Sequence, residues 1–254
     1  MWDSQTKIVD RAEVSADKGQ YLEKLLLEYS IPKKGVIIIL DNEDYVNYFN
    51  PIWRNQGLHL NIGLGGIEEM SPEYLLEIMG SNKYSNLVWI SKRINTGDAI
   101  KFVWVASHEF QHFKQDAISH NLSVANTFLF NVLGDSKIII DEPKNAITIP
   151  AEFDAELSAF KSTKMIFGAI ETEKYVTNPK RVDRIGQLLS FDLQDPYDII
   201  GRTIYFLEKY RSQLETHIKT ATDSMIESFD IGDSIHKLKK LKKRTHSLAN
   251  AADS

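Results

Sequence analysis

From Ala99 to Ile118 the chain carries no glycine or proline, so nothing in that stretch interrupts an α-helix. Phe102, Val105, Ala106, Phe110 and Phe113 recur there at helical spacing and offer one apolar face to a core. Asn95-Thr96-Gly97-Asp98 supplies a turn and a cap just upstream. The helix so defined contains His108-Glu109-Phe110-Gln111-His112. Histidines four apart share a helix face, with roughly one turn of rise between them. Both imidazoles can then reach one ion, and Zn²⁺ accepts nitrogen ligands at about 2.0–2.1 Å. Glu109, directly after the first histidine, is placed to take a proton from a metal-bound water rather than to ligate. The plainer explanation of the same five residues is an amphipathic helix with two solvent-facing or core histidines.

A catalytic zinc needs a third protein ligand and an open position. The chain has no cysteine, which removes every thiolate ligand set, all disulfides and all thiol nucleophiles. Gln115 and Ile118 occupy the positions where a metzincin would continue with glycine and histidine. His120 lies two helical turns past His112 and about 80° round the axis, poorly placed to share the ion. A carboxylate from a second helix remains. Pro150-Ala151-Glu152-Phe153-Asp154-Ala155-Glu156-Leu157-Ser158-Ala159 starts with proline and continues rich in alanine and acids. Glu152 and Glu156 share a face with Ala155 and Ala159, small residues that allow a close helix approach. Like charges one turn apart are unfavourable in a plain helix, and an ion or a histidine partner would offset that cost. Asp154 competes with Glu152 but projects from a different face.

HEFQH followed downstream by PAEFDAELSA resembles the gluzincin pattern, and more loosely small bacterial and phage-associated zincins of the ImmA/IrrE type. The resemblance covers roughly residues 85–167. It implies an α+β, zincin-like domain with a small N-terminal mixed sheet, an active-site helix and a mainly helical C-terminal half. It further implies a zinc peptidase, with Glu109 catalytic and Zn²⁺ held by His108, His112 and Glu152. Glu156 would hydrogen-bond a ligand histidine where the family often has aspartate, and Asp154 would belong to the same supporting layer. Such enzymes align the substrate backbone on an edge strand, a role that falls on Leu87, Val88 and Trp89. An oxyanion stabiliser would come from the helical half, where Tyr197, Tyr205 and His217 are candidates beside Arg202 and Tyr210. Two other functions fit the same residues. One is a metal-binding regulatory or toxin-type protein acting on a single dedicated partner. The other is a helical interaction protein in which HExxH is coincidental.

Elsewhere the pattern predicts a helix over 12–29, strands over 35–40, 58–64 and 85–91, and a short helix over 71–79. Downstream it predicts helices over 124–133, 151–170, 182–189 and 196–220, and a short strand over 137–140. Strands crowd the front of the chain and helices the rest, an α+β order. The division expected is a catalytic domain over 1–170 and a helical extension over 171–254. A net charge of −5 argues against broad nucleic-acid binding. Lys237 to Arg244 nevertheless holds six basic residues and no acid, either a solvated helix face or a surface for docking a partner. No run is long enough to span a membrane, and the N-terminus lacks a basic region followed by an apolar one. A cytoplasmic protein acting on peptide or protein substrates is the expectation.

Overall fold

The computed structural model describes residues 7–31, 35–43, 56–61, 85–135, 149–177, 198–221 and 224–252. The chain is α+β and mostly helical, with a four-stranded mixed sheet. By packing it divides into two units. The first is Met1–Lys114 with Ala155–Ile185, and the second is Gln115–Asp154 with Gly186–Ser254. The pattern of the sequence suggests one boundary near 170; packing divides the chain after Lys114, Asp154 and Ile185.

In the first unit the strands are β1 (Lys7–Asp10), β2 (Val36–Leu40), β3 (Gly57–Asn61) and β4 (Asn86–Ile90), in the order β1-β2-β4-β3. β1 and β2 pair in parallel, as do β2 and β4, while β3 runs antiparallel to β4. The β2 sequence Val-Ile-Ile-Ile-Leu is buried at every position, which is why it reads as a continuous apolar run rather than an alternation. Helix α1 (Ala16–Glu28) follows β1, and the single turn α2 (Lys92–Asn95) follows β4. Helix α3 (Ala99–Ile118) comes next, as its uninterrupted sequence predicts.

Phe102, Val103, Ala106 and Phe110 of α3 pack with Leu22 and Leu25 of α1. They also meet Val36, Ile38 and Leu40 of β2 and Val88 and Ile90 of β4. Each large apolar side chain so buried contributes roughly 1.5–3 kcal/mol. Polar locks fix where α3 begins. Asn95 donates through Nδ2 to the carbonyls of Asp41 and Ile90, at 2.9 and 2.8 Å, pinning the ends of β2 and β4. Lys18 of α1 is buried and donates to the carbonyls of Asn95 and Gly97, at 2.5 and 2.6 Å. That burial lowers its pKa, a shift the Asp98 carboxylate opposes.

Helix α4 (His120–Asp135) belongs to the second unit, and α5 (Pro150–Val176) begins there and continues into the first. Gly168 breaks α5 at φ 82°, a conformation open to glycine at little cost, so the site-bearing part of α5 precedes it. The second unit continues with α6 (Ile199–Lys209), α7 (Arg211–Thr220), α8 (Ser224–Glu227) and α9 (Ile231–Ala252). Leu122, Phe128, Leu129, Ile200, Ile204, Leu207, Ile235 and Leu238 form its core, with Phe128 stacked on Phe229 at 3.8 Å. The helix expected over 196–220 is divided at Tyr210, whose backbone leaves helical geometry.

Half of the basic run on α9 is paired within its own unit. Lys237 meets Asp233, Lys239 meets Glu208 and Lys242 meets Asp198. Those three therefore serve α9 and α6, which favours the solvated-face explanation of the run. The segments expected over 71–79, 137–140 and 182–189 lie outside the described residues. Among the described residues, no helix is long and apolar enough to cross a membrane.

Candidate metal centre

The register of α3 follows from its apolar residues. With Phe102, Ala106, Phe110 and Phe113 committed to the core, His108 and His112 fall on the half-buried side. Their rings meet nearly edge to face, at 4.8 Å between centroids and 78° between planes. The two Nε2 atoms are 3.1 Å apart. Glu152 stands in the first turn of α5, and one of its carboxylate oxygens lies with the two imidazoles in a group spanning at most 4.8 Å. Among the described residues this is the group of histidine and acid side chains close enough to hold a metal.

Zinc fits this donor set. Two nitrogens bound to one tetrahedral ion at about 2.0–2.1 Å stand roughly 3.3 Å apart, close to the separation found. One carboxylate and two imidazoles are also a donor set of catalytic zinc sites. Without an ion, the same 3.1 Å contact is a hydrogen bond from whichever ring bears the proton.

His108 faces its neighbours with different nitrogens. Nε2 turns toward His112, while Nδ1 lies 3.5 Å from Oε1 of Glu156. The other oxygen of Glu156 accepts a 2.8 Å hydrogen bond from the indole N–H of Trp104. Glu156 thus bridges Trp104 and His108. Asp154 does not enter the metal group: Oδ2 accepts from Nε2 of Gln115 at 2.9 Å. The same Gln115 amide donates to the Ala151 carbonyl at 2.9 Å, so it fastens the first turn of α5, which carries Glu152. Farther along, Ser158 donates to Oε1 of Gln111 at 3.1 Å.

These contacts show what reading residues one at a time overlooks. Trp104, His108, Gln111 and Gln115 follow one another at steps of four, three and four, a single stripe along α3. The spacing itself is the sequence signal for Trp104 and Gln115, since helical steps put both on the face of His108. Glu109, next to that stripe, is 7% exposed. It also has a close neighbour in β3. A Cβ added to Gly57 would lie 2.7 Å from Oε1 of Glu109, 2.8 Å from its Cγ and 2.7 Å from Cγ1 of Val105. The backbone of β3 therefore approaches the candidate base as only glycine permits.

One expectation is corrected. Leu87, Val88 and Trp89 do not lie on an edge, because β4 is hydrogen-bonded to β2 on one side and to β3 on the other. An apolar strand of this kind is buried on both faces, and Trp89 donates its indole N–H to buried Asp41 at 2.8 Å. The strand at the sheet margin on this side, among the described residues, is β3.

Of the oxyanion candidates, Tyr205 is about half exposed on α6, with Phe206 and Lys209 against its ring. His217 is half-buried on α7. Tyr197 lies outside the described residues. His120 is exposed at the start of α4 and is not a member of the metal group. Comparison with protein-family models, with known proteins and with solved structures finds no match to this chain.

Proposed function

We propose that the chain is a zinc-dependent peptidase of zincin-like architecture, with His108, His112 and Glu152 as metal ligands and Glu109 as general base and acid. The observation that carries this reading is the convergence of those three side chains from two helices, with Glu109 beside them. Bound zinc supplies a water acidic enough to ionise near neutral pH and a Lewis acid for the scissile carbonyl. The work of the chain is to hold and move the proton. The Glu109 carboxylate takes it from the attacking water and passes it to the departing amine nitrogen. Burial of Glu109 beneath β3 restricts the rotamers available to that carboxylate.

The edge role expected of β4 passes to β3 in this reading. Among the described strands β3 is the marginal one on this side, and it begins at Gly57, next to Glu109. Replacing Glu109 by glutamine removes the proton acceptor and leaves every proposed ligand in place. Hydrolysis of a peptide library by the zinc-loaded protein should fall by at least a hundredfold in that variant, with zinc content unchanged. Undiminished turnover in the variant would refute the mechanism.

A further inference from the structure

We propose that Trp104 is a positioning residue of the metal centre, holding Glu156 so that His108 presents Nε2 toward His112 and Glu152. This rests on the metal-site reading above and adds a residue to it. The indole N–H can only donate, and it donates to Oε2 of Glu156 at 2.8 Å. That leaves Oε1 on the side of His108, 3.5 Å from Nδ1. A carboxylate beside Nδ1 favours the proton on that nitrogen, which frees the Nε2 lone pair for a metal.

The arrangement closes on itself through two helices. Trp104 and His108 are one turn apart on α3, and Glu156 reaches both from α5. Trp104 is 5% exposed, and Tyr175, farther along α5, packs against its ring at 5.5 Å between centroids. The indole therefore has little freedom to turn its N–H elsewhere. Glu156 is 13% exposed and would lose a fixed donor if the N–H were absent. Its side chain could then take rotamers that withdraw Oε1 from Nδ1 of His108.

The test is zinc affinity, measured by competition with a chromophoric chelator, for the wild type, Trp104→Phe, Glu156→Gln and the double variant. Phenylalanine keeps an aromatic ring beside Tyr175 and deletes the donor; glutamine keeps the length of Glu156 and deletes the charge. Each single change should weaken zinc binding on the order of tenfold or more, as loss of groups that orient metal ligands does. The double variant should lose little beyond the larger single effect, because both act through one contact.

Thermal unfolding of the metal-free proteins and Co²⁺ absorption spectra accompany the titration. A simple α3–α5 tether would lower the melting temperature while leaving affinity and the cobalt spectrum unchanged. That outcome overturns the proposal, as does a double variant whose losses multiply. If Trp104→Phe does not fold, Glu156→Gln decides alone: wild-type affinity and an unaltered spectrum would overturn the proposal. His108→Ala separates this from the reading beneath it. Zinc held as tightly by His108→Ala as by the wild type removes the metal centre itself, whereas zinc lost there but kept by Trp104→Phe removes only the role of Trp104.

Discussion

Glu109 and Gly57 show how little room a single side chain leaves at this centre. An alanine at 57 would put its Cβ at 2.7 Å from Oε1 of Glu109 and from Cγ1 of Val105, so the carboxylate or the strand must shift. A displacement near 1 Å at a catalytic group costs on the order of a hundredfold in rate. On the proposed function, Gly57→Ala should therefore leave zinc binding unchanged, lose most of the proposed peptidase activity and unfold about 1–3 kcal/mol more easily from overpacking. Parallel zinc and rate measurements check this, and full activity in the variant would show that β3 does not constrain the base.

Tyr29 makes a second prediction at the same scale. Its hydroxyl lies 2.7 Å from the Ser158 hydroxyl and 2.9 Å from that of Ser162, linking α1 to α5. Burial pushes its phenol above the ordinary 10.0. The folded state then keeps the proton to higher pH than the unfolded chain does. The stability tied to the neutral phenol is fully present below pH 10 and is lost as pH rises through the folded-state value. Tyr29→Phe should cost about 1–3 kcal/mol at neutral pH and flatten the fall in stability above pH 10. Denaturant unfolding at neutral and alkaline pH reads both effects; an equally steep alkaline fall in the variant would assign it to other groups.

Among the elements, α3 was the most legible. A long run free of glycine and proline and an apolar stripe fix its type and its register together. The start of α5 was legible for the same reason: proline at the first position, then alanines and acids. The margin of the sheet was not. An apolar five-residue strand looks alike whether one or both of its sides are paired, and only the non-local pairing of β4 with β2 and β3 makes it interior. β1, four residues long, was too short for periodicity to reveal. The glutamine at 115 was equally obscure, because its role depends on the Ala151 carbonyl and Asp154, 36 and 39 residues away. Gln115→Ala should loosen the first turn of α5 and weaken zinc binding several-fold, while Glu109 and β3 stay in place. Isothermal titration of the metal-free protein with zinc gives the comparison, and wild-type affinity would show that Glu152 is positioned without Gln115.

Across the whole molecule, an α+β order with strands early and helices late was visible from the residues. The alternation of chain segments between two packing units was not, since it depends on which distant helices meet. No similarity to known proteins bears on function, so the reading stands on the chemistry of its side chains. A ligand bound only by the folded chain adds stability by mass action, about 4 kcal/mol at a thousand times its dissociation constant. Whether zinc does so here depends on three side chains. The decisive measurement is the metal content of purified protein after dialysis against zinc-free buffer, by elemental analysis, for the wild type and for His108→Ala, His112→Ala and Glu152→Gln. About one zinc per wild-type chain is expected, none in either histidine variant and a much reduced content in Glu152→Gln. A zinc-free wild type, or zinc content indifferent to all three changes, would contradict the proposed metal centre.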